Sequence, residues 1–163
     1  MERTGSNKDT EKLGSSEVIK LGIVCSDIEE TARRYAQLFD VEVPPVRYPD
    51  PNRVIPENAY QEYNGVRRRI RLKATHVNLT PVYLELLEPD DDTPSPWLDH
   101  LNKYGTSVCF LSFYINGFRK QIDLMEGQGY KKIFEEEKGP ERYAYFDTAA
   151  TLGIMLELKE RGE

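Results

Sequence analysis

Two glutamates stand in the middle of apolar runs, Val82-Tyr83-Leu84-Glu85-Leu86-Leu87 and Ile154-Met155-Leu156-Glu157-Leu158. Both are flanked by leucines, so the tripeptide around them is the same. Strand side chains alternate between faces, which turns each glutamate away from its two leucine neighbours. A carboxylate in so apolar a strand is costly unless it meets a partner or a polar cavity. Two of them in matching places imply a duplicated module whose glutamates converge on one site. Burial raises a carboxyl pKa and makes it a suitable proton carrier.

The elements that must position them repeat as well. Upstream of the first glutamate lie an apolar strand, Val18 to Val24, and a helix starting near Asp27. Upstream of the second lie Val108 to Phe113 and a helix starting near Asn116. Ser26 or Asp27 is a credible cap for the first helix, with Glu29 and Glu30 in its first turn. That helix should end near Asp40 and be followed by a short strand, Val41 to Val43, stopped by Pro44 and Pro45. Pro49 to Gly65 reads as a long loop, followed by strands at about 68–77 and 82–87. Ser95 with Pro96 opens a linker helix that Gly105 closes. In the second half, strands are expected near 130–135, 143–147 and 153–158.

The expected organisation is therefore a disordered polar tail over 1–16 and a single domain over 17–160. Module one spans 17–89, a linker helix 90–105, and module two 106–160. A formal net charge of -6 and a pI of about 5.1 argue against a general nucleic-acid binder. The basic cluster Arg67-Arg68-Arg69, with Arg71 and Lys73, reads either as an edge-protecting strand face or as a small anion site. No run is long enough to cross a membrane, and the N-terminus lacks the apolar core of a signal peptide. Cys25 and Cys109 lack metal-type spacing and fit buried thiols in a reducing compartment. The cytoplasm is the expected location.

Four segments together resemble the vicinal oxygen chelate superfamily of glyoxalases, bleomycin-resistance proteins and extradiol dioxygenases. They are Leu21 to Val24, Asp27 to Ala32, Glu85 to Pro89 and Gly153 to Leu158. The likeness is strongest to the methylmalonyl-CoA epimerase and lactoylglutathione lyase-like branch. It implies an α+β fold of two tandem βαβββ modules, curled as one mixed sheet around a cavity. It also implies a homodimer and a divalent metal held by four side chains. Carried over by position, two of the ligands become Glu85 and Glu157. The two histidine positions fall at Lys20 and Phe110, neither of which is a serviceable ligand, so metal binding by Glu85 and Glu157 alone would be weak. By alternation Lys20 faces the same cavity as the two glutamates, where its ammonium stands in for the lost metal charge.

The resemblance implies a small-molecule lyase or an isomerase that removes a proton next to a carbonyl. Glu157 is the candidate base, Glu85 and Lys20 its charged neighbours, and Glu62 a candidate opposite base. Tyr83, Phe110 and Tyr145 are candidate substrate-binding residues. A second reading, non-catalytic sequestration of a small ligand in the bleomycin-resistance manner, stays open. A third is a cavity filled by its own side chains.

Overall fold

The computed structural model describes residues 12–139 and 141–160. Module one opens with β1 (Val18–Val24) and α1 (Ile28–Phe39), continues through a hairpin of β2 (Tyr60–Tyr63) and β3 (Val66–Arg67), and ends in β4 (Leu72–Val77) and β5 (Tyr83–Pro89). The linker helix α2 (Pro96–Tyr104) follows. Module two comprises β6 (Ser107–Ile115), α3 (Phe118–Gly127), β7 (Lys132–Glu137), β8 (Arg142–Phe146), the short α4 (Ala149–Leu152) and β9 (Met155–Glu160). This is the expected α+β fold.

The helix ends follow local chemistry. Asp27 caps α1 by accepting from the Glu30 N–H, and Asp40 ends the helix in the left-handed region. Ser95 accepts from the Leu98 N–H at the start of α2, with Pro96 in the first turn, and Gly105 ends the helix. Of the 1–16 tail, residues 1–11 lie outside the described residues, while Leu13 packs against the core beneath α3.

All nine strands form one sheet in the order β3-β2-β7-β8-β9-β6-β1-β5-β4. The modules meet where β1 and β6 run antiparallel, and each of these strands pairs in parallel with its own glutamate strand, β5 or β9. The sheet is curled: Tyr63 near one edge and Ala74 near the other belong to one buried cluster with Val24, Phe110, Phe134, Tyr145 and Met155. The outer face carries the helices. Ile23, Leu84 and Leu86 pack with α1, and Ala144, Phe146 and Leu158 pack with α3.

Two expectations for module one need correction. Val41 to Val43 form no strand; the first pairing after α1 is an isolated bridge further on, Arg47 to Ala74. The interval read as loop contains β2 and the turn that leads into β3, and β2 pairs with β7 of module two. Module one therefore lends a hairpin to the open edge of module two.

Candidate functional site

At the seam of the modules, Lys20 sits between the two glutamates. Its Nζ lies 2.6 Å from Glu85 Oε2 and 3.3 Å from Glu157 Oε2. The strand registers explain why. Glu85 stands beside Gly22 in the β1–β5 ladder, and Glu157 beside Ser112 in the β6–β9 ladder. Across the seam, Lys20 lies opposite Ser112 and Gly22 opposite Phe110. In each module a large side chain therefore reaches over the small residue of the other module. Phe110 fits only because of Gly22: a Cβ there would fall 2.0 Å from the Phe110 ring.

The triad is buried, with side-chain exposures of 7% for Lys20 and 1% for Glu157. Burial works against the Lys20 charge, but the Glu157 and Glu85 carboxylates outweigh it and hold its pKa above the usual lysine value. The two glutamates shift in opposite directions. Burial also opposes ionisation of Glu85, yet hydrogen bonding from His76 and the Lys20 charge pull its pKa below the usual carboxylate range. Complete burial dominates at Glu157 and pushes its pKa up, with the Glu85 charge adding to the effect against Lys20. Glu157 Oε2 has the Lys20 ammonium as its charged partner, and the buried Ser112 hydroxyl beside it also favours the ionised form.

Aromatic rings fill the region next to the triad. Phe110 lies edge-on to Tyr145 with ring centres 5.0 Å apart, and its ring lies 5.6 Å from Lys20 Nζ. Trp97 of α2 packs edge-on against both Phe134 and Tyr145. Phe110 and Tyr145 are fully or almost fully buried. Tyr83 is half-buried and packs beside His76, at a centroid distance of 4.8 Å.

The sequence profile of the glyoxalase/bleomycin resistance protein/dioxygenase superfamily matches residues 20–146. The chain belongs to this superfamily. Solved structures with the same fold include the methylmalonyl-CoA epimerase of Mycobacterium tuberculosis, 16% identical over 91% of this chain and 90% of that one, with a TM-score of 0.59. A variant epimerase of Streptomyces coelicolor, in complex with 2-nitronate-propionyl-CoA, is 21% identical over 90% of this chain and 95% of that one, with a TM-score of 0.58. A methylmalonyl-CoA epimerase in complex with methylmalonyl-CoA and NH4+ is 20% identical over 90% of this chain and 95% of that one, with a TM-score of 0.58. No curated protein matches the chain.

The metal implied by resemblance to the vicinal oxygen chelate superfamily does not fit the side chains here. Among the described residues, no three of His, Cys, Asp and Glu come together as a ligand set. Lys20 already pairs with both carboxylates, and its raised pKa keeps it protonated, without a lone pair to donate. Phe110 presents hydrocarbon at the remaining position.

Glu62, the expected opposite base, is not brought to this site. Neighbouring Gln61 stands across from Glu136 and donates to its carboxylate at 3.1 Å, while Glu62 stands across from Glu135 on the other face. Glu135 is held there by Lys132, Tyr60 and Arg119. The cavity-side residues missed in the sequence are Gln61, Ser112 and Glu136, along with the role of His76. Glu136 is buried, and burial raises its pKa despite the nearby Lys138. His76 Nε2 lies 3.1 Å from Glu85 Oε1 across the β4–β5 ladder. Alternation along Phe134-Glu135-Glu136-Glu137 would have selected Glu136 once Phe134 was assigned to the core.

Proposed function

We propose that this member of the superfamily is an isomerase of the epimerase kind, one that moves a proton next to the carbonyl of an acyl thioester without a bound metal. The observation that carries this reading is a buried ammonium set between two carboxyls, 2.6 Å from Glu85 and 3.3 Å from the deeper Glu157, whose ionisation burial opposes. Environments that push paired titratable groups apart separate a proton carrier from a fixed charge. Glu157, whose pKa burial raises, accepts the α-proton. Glu85 stays ionised and holds Lys20 in place. Lys20 stays protonated and offers a fixed positive charge to the oxygen that becomes enolate-like. The fold neighbours support the substrate class, since two of them were solved with acyl-CoA-type ligands. One of these also carries an ammonium ion, the chemical group that Lys20 supplies covalently here.

An epimerase returns the proton from the opposite face and so needs a second carboxyl. Glu136, held by Gln61, takes the role assigned in sequence to Glu62. The test is solvent-deuterium incorporation at the α-carbon of short-chain acyl-CoA thioesters, followed by mass spectrometry. Wild type is expected to exchange and Glu157→Gln to lose exchange; no exchange by wild type on any branched or unbranched acyl thioester would sink the reading.

A second reading has its own observation. The rings of Phe110, Tyr145, Trp97 and Phe134 occupy much of the concave face, as suits a protein that grips a ligand without turning it over. In that case ligands raise the melting temperature while deuterium exchange stays absent.

A further inference from the structure

Arginine pairing in this chain divides by position. Among the described residues, every arginine outside 47–69 meets a carboxylate: Arg33 and Arg34 with Glu30, Arg71 with Asp90 and Asp92, Arg119 with Glu135, and Arg142 with Glu137 and Glu160. Within 47–69 lie Arg47, Arg53, Arg67, Arg68 and Arg69, and none of them forms an ion pair with a described carboxylate. That segment sets five guanidinium groups against three carboxylates, Asp50, Glu57 and Glu62, in a chain whose net charge is -6. A protein with a surplus of carboxylates that leaves its guanidinium groups unpaired in one place forgoes charge neutralisation there.

The backbone gathers this segment at the hairpin that reaches the cavity. The Arg68 N–H donates to the carbonyl of Gln61, the residue whose side chain meets Glu136. The Arg69 guanidinium donates 3.2 Å to the carbonyl of Asp50, which also accepts from the Arg53 N–H. Arg47 is tied to β4 by its bridge to Ala74. Arg53 and Arg69 are exposed, while Arg68 is half-buried and its Nε is buried without a hydrogen-bond partner. A buried guanidinium N–H left unmet is costly in a finished structure and calls for an acceptor.

We propose that Arg53, Arg68 and Arg69 form a subsite for the phosphate-bearing end of a ligand, an organic bisphosphate or diphosphate. Planar guanidinium groups pair with phosphate oxygens through two parallel hydrogen bonds, and several together suit a group with multiple charges. The inference deepens the thioester reading by assigning what holds the far end of the substrate, but its test uses no acyl group and no reaction.

The experiment is calorimetric titration of the full chain at low salt with adenosine 3′,5′-bisphosphate and, separately, inorganic pyrophosphate. Binding of the bisphosphate alone assigns the subsite to a nucleotide-type ligand, and binding of both assigns it to phosphate charge itself. R68Q/R69Q should weaken binding by roughly tenfold or more, the scale of losing charge-assisted contacts. R33Q/R34Q removes the same net charge from α1 and should leave binding unchanged. If R68Q/R69Q unfolds, R53Q/R69Q, altered only at exposed side chains, gives the same reading. Absence of saturable binding to wild type, or equal loss in the α1 control, would overturn the proposal. Failure of deuterium exchange with this binding intact would remove the isomerase reading and leave the subsite standing.

Discussion

Lys20 in module one and Phe110 in module two hold matching places, two residues before the position that flanks their own module's glutamate. In one module the place carries an ammonium, in the other an aromatic ring. The small residues follow suit: Ser112 lies opposite Lys20 and Gly22 opposite Phe110. A nearly symmetric frame thus encloses an asymmetric interior, with charge on one side of the seam and hydrocarbon on the other. Glu85, hydrogen-bonded by Lys20 and His76, is held ionised; Glu157, sealed beneath the same lysine, is pushed toward its neutral form. Identical local sequence around two carboxyls has therefore produced opposite acid–base behaviour, and the cause lies in residues on other strands.

The largest expected effect comes from removing the shared cation. Lys20→Met should destabilise the fold at neutral pH by about 3–5 kcal/mol, the cost of breaking a buried ion pair from one side. Denaturant unfolding measures this, and an unchanged midpoint would mean that the carboxyls do not depend on Lys20. Glu85→Gln comes next, at about 1.5–3 kcal/mol for loss of a charged hydrogen bond.

The two matched glutamates should then separate by pH. The Glu85 pKa is lowered in the folded state, so its contribution is full above the ordinary carboxylate pKa and fades as pH falls below about 4.3. The stability gap between wild type and Glu85→Gln should close in acid. At Glu157 the folded pKa is raised, so ionising it costs stability as pH climbs through that value. Glu157→Gln should gain on wild type as pH rises. Parallel pH profiles for the two variants would contradict the asymmetry.

Smaller effects probe the neutral side of the seam. Gly22→Ala forces a methyl into the Phe110 ring and should cost about 1–3 kcal/mol by overpacking. A double variant with Phe110→Leu should recover part of that loss, read by thermal melting. Ser112→Ala removes a buried hydroxyl that favours the ionised form of Glu157, and stability at neutral pH should fall by about 0.5–1.5 kcal/mol.

Much of this arrangement is legible along the chain. Alternation places Lys20 with Glu85 and Glu157, because all three lie in regular strands whose leucines and isoleucines declare the other face. The caps at Asp27, Ser95 and Gly105 are local chemistry and are found where local chemistry puts them. Glu62 fails for a long-range reason. Its strand pairs with β7, more than seventy residues further along, and nothing near Glu62 announces that partner. An offset of one residue exchanges Gln61 for Glu62 and moves the assignment to the opposite face. The strand expected at Val41 to Val43 had apolar residues but no neighbour with which to build a full ladder, and only the Arg47 bridge remains.

The hairpin lent by module one to β7 has a consequence for how the molecule holds together. The halves are stitched twice, along the β1–β6 seam inside the sheet and again near one edge where β2 meets β7, so module two lies between two pieces of module one. A cut in the acidic linker after Pro89 would therefore sever the covalent connection and leave both ladders available. Neither half could make the β1–β6 or β2–β7 hydrogen bonds without the other, and the pieces would find their register by mutual recognition, like a clasp with two hooks.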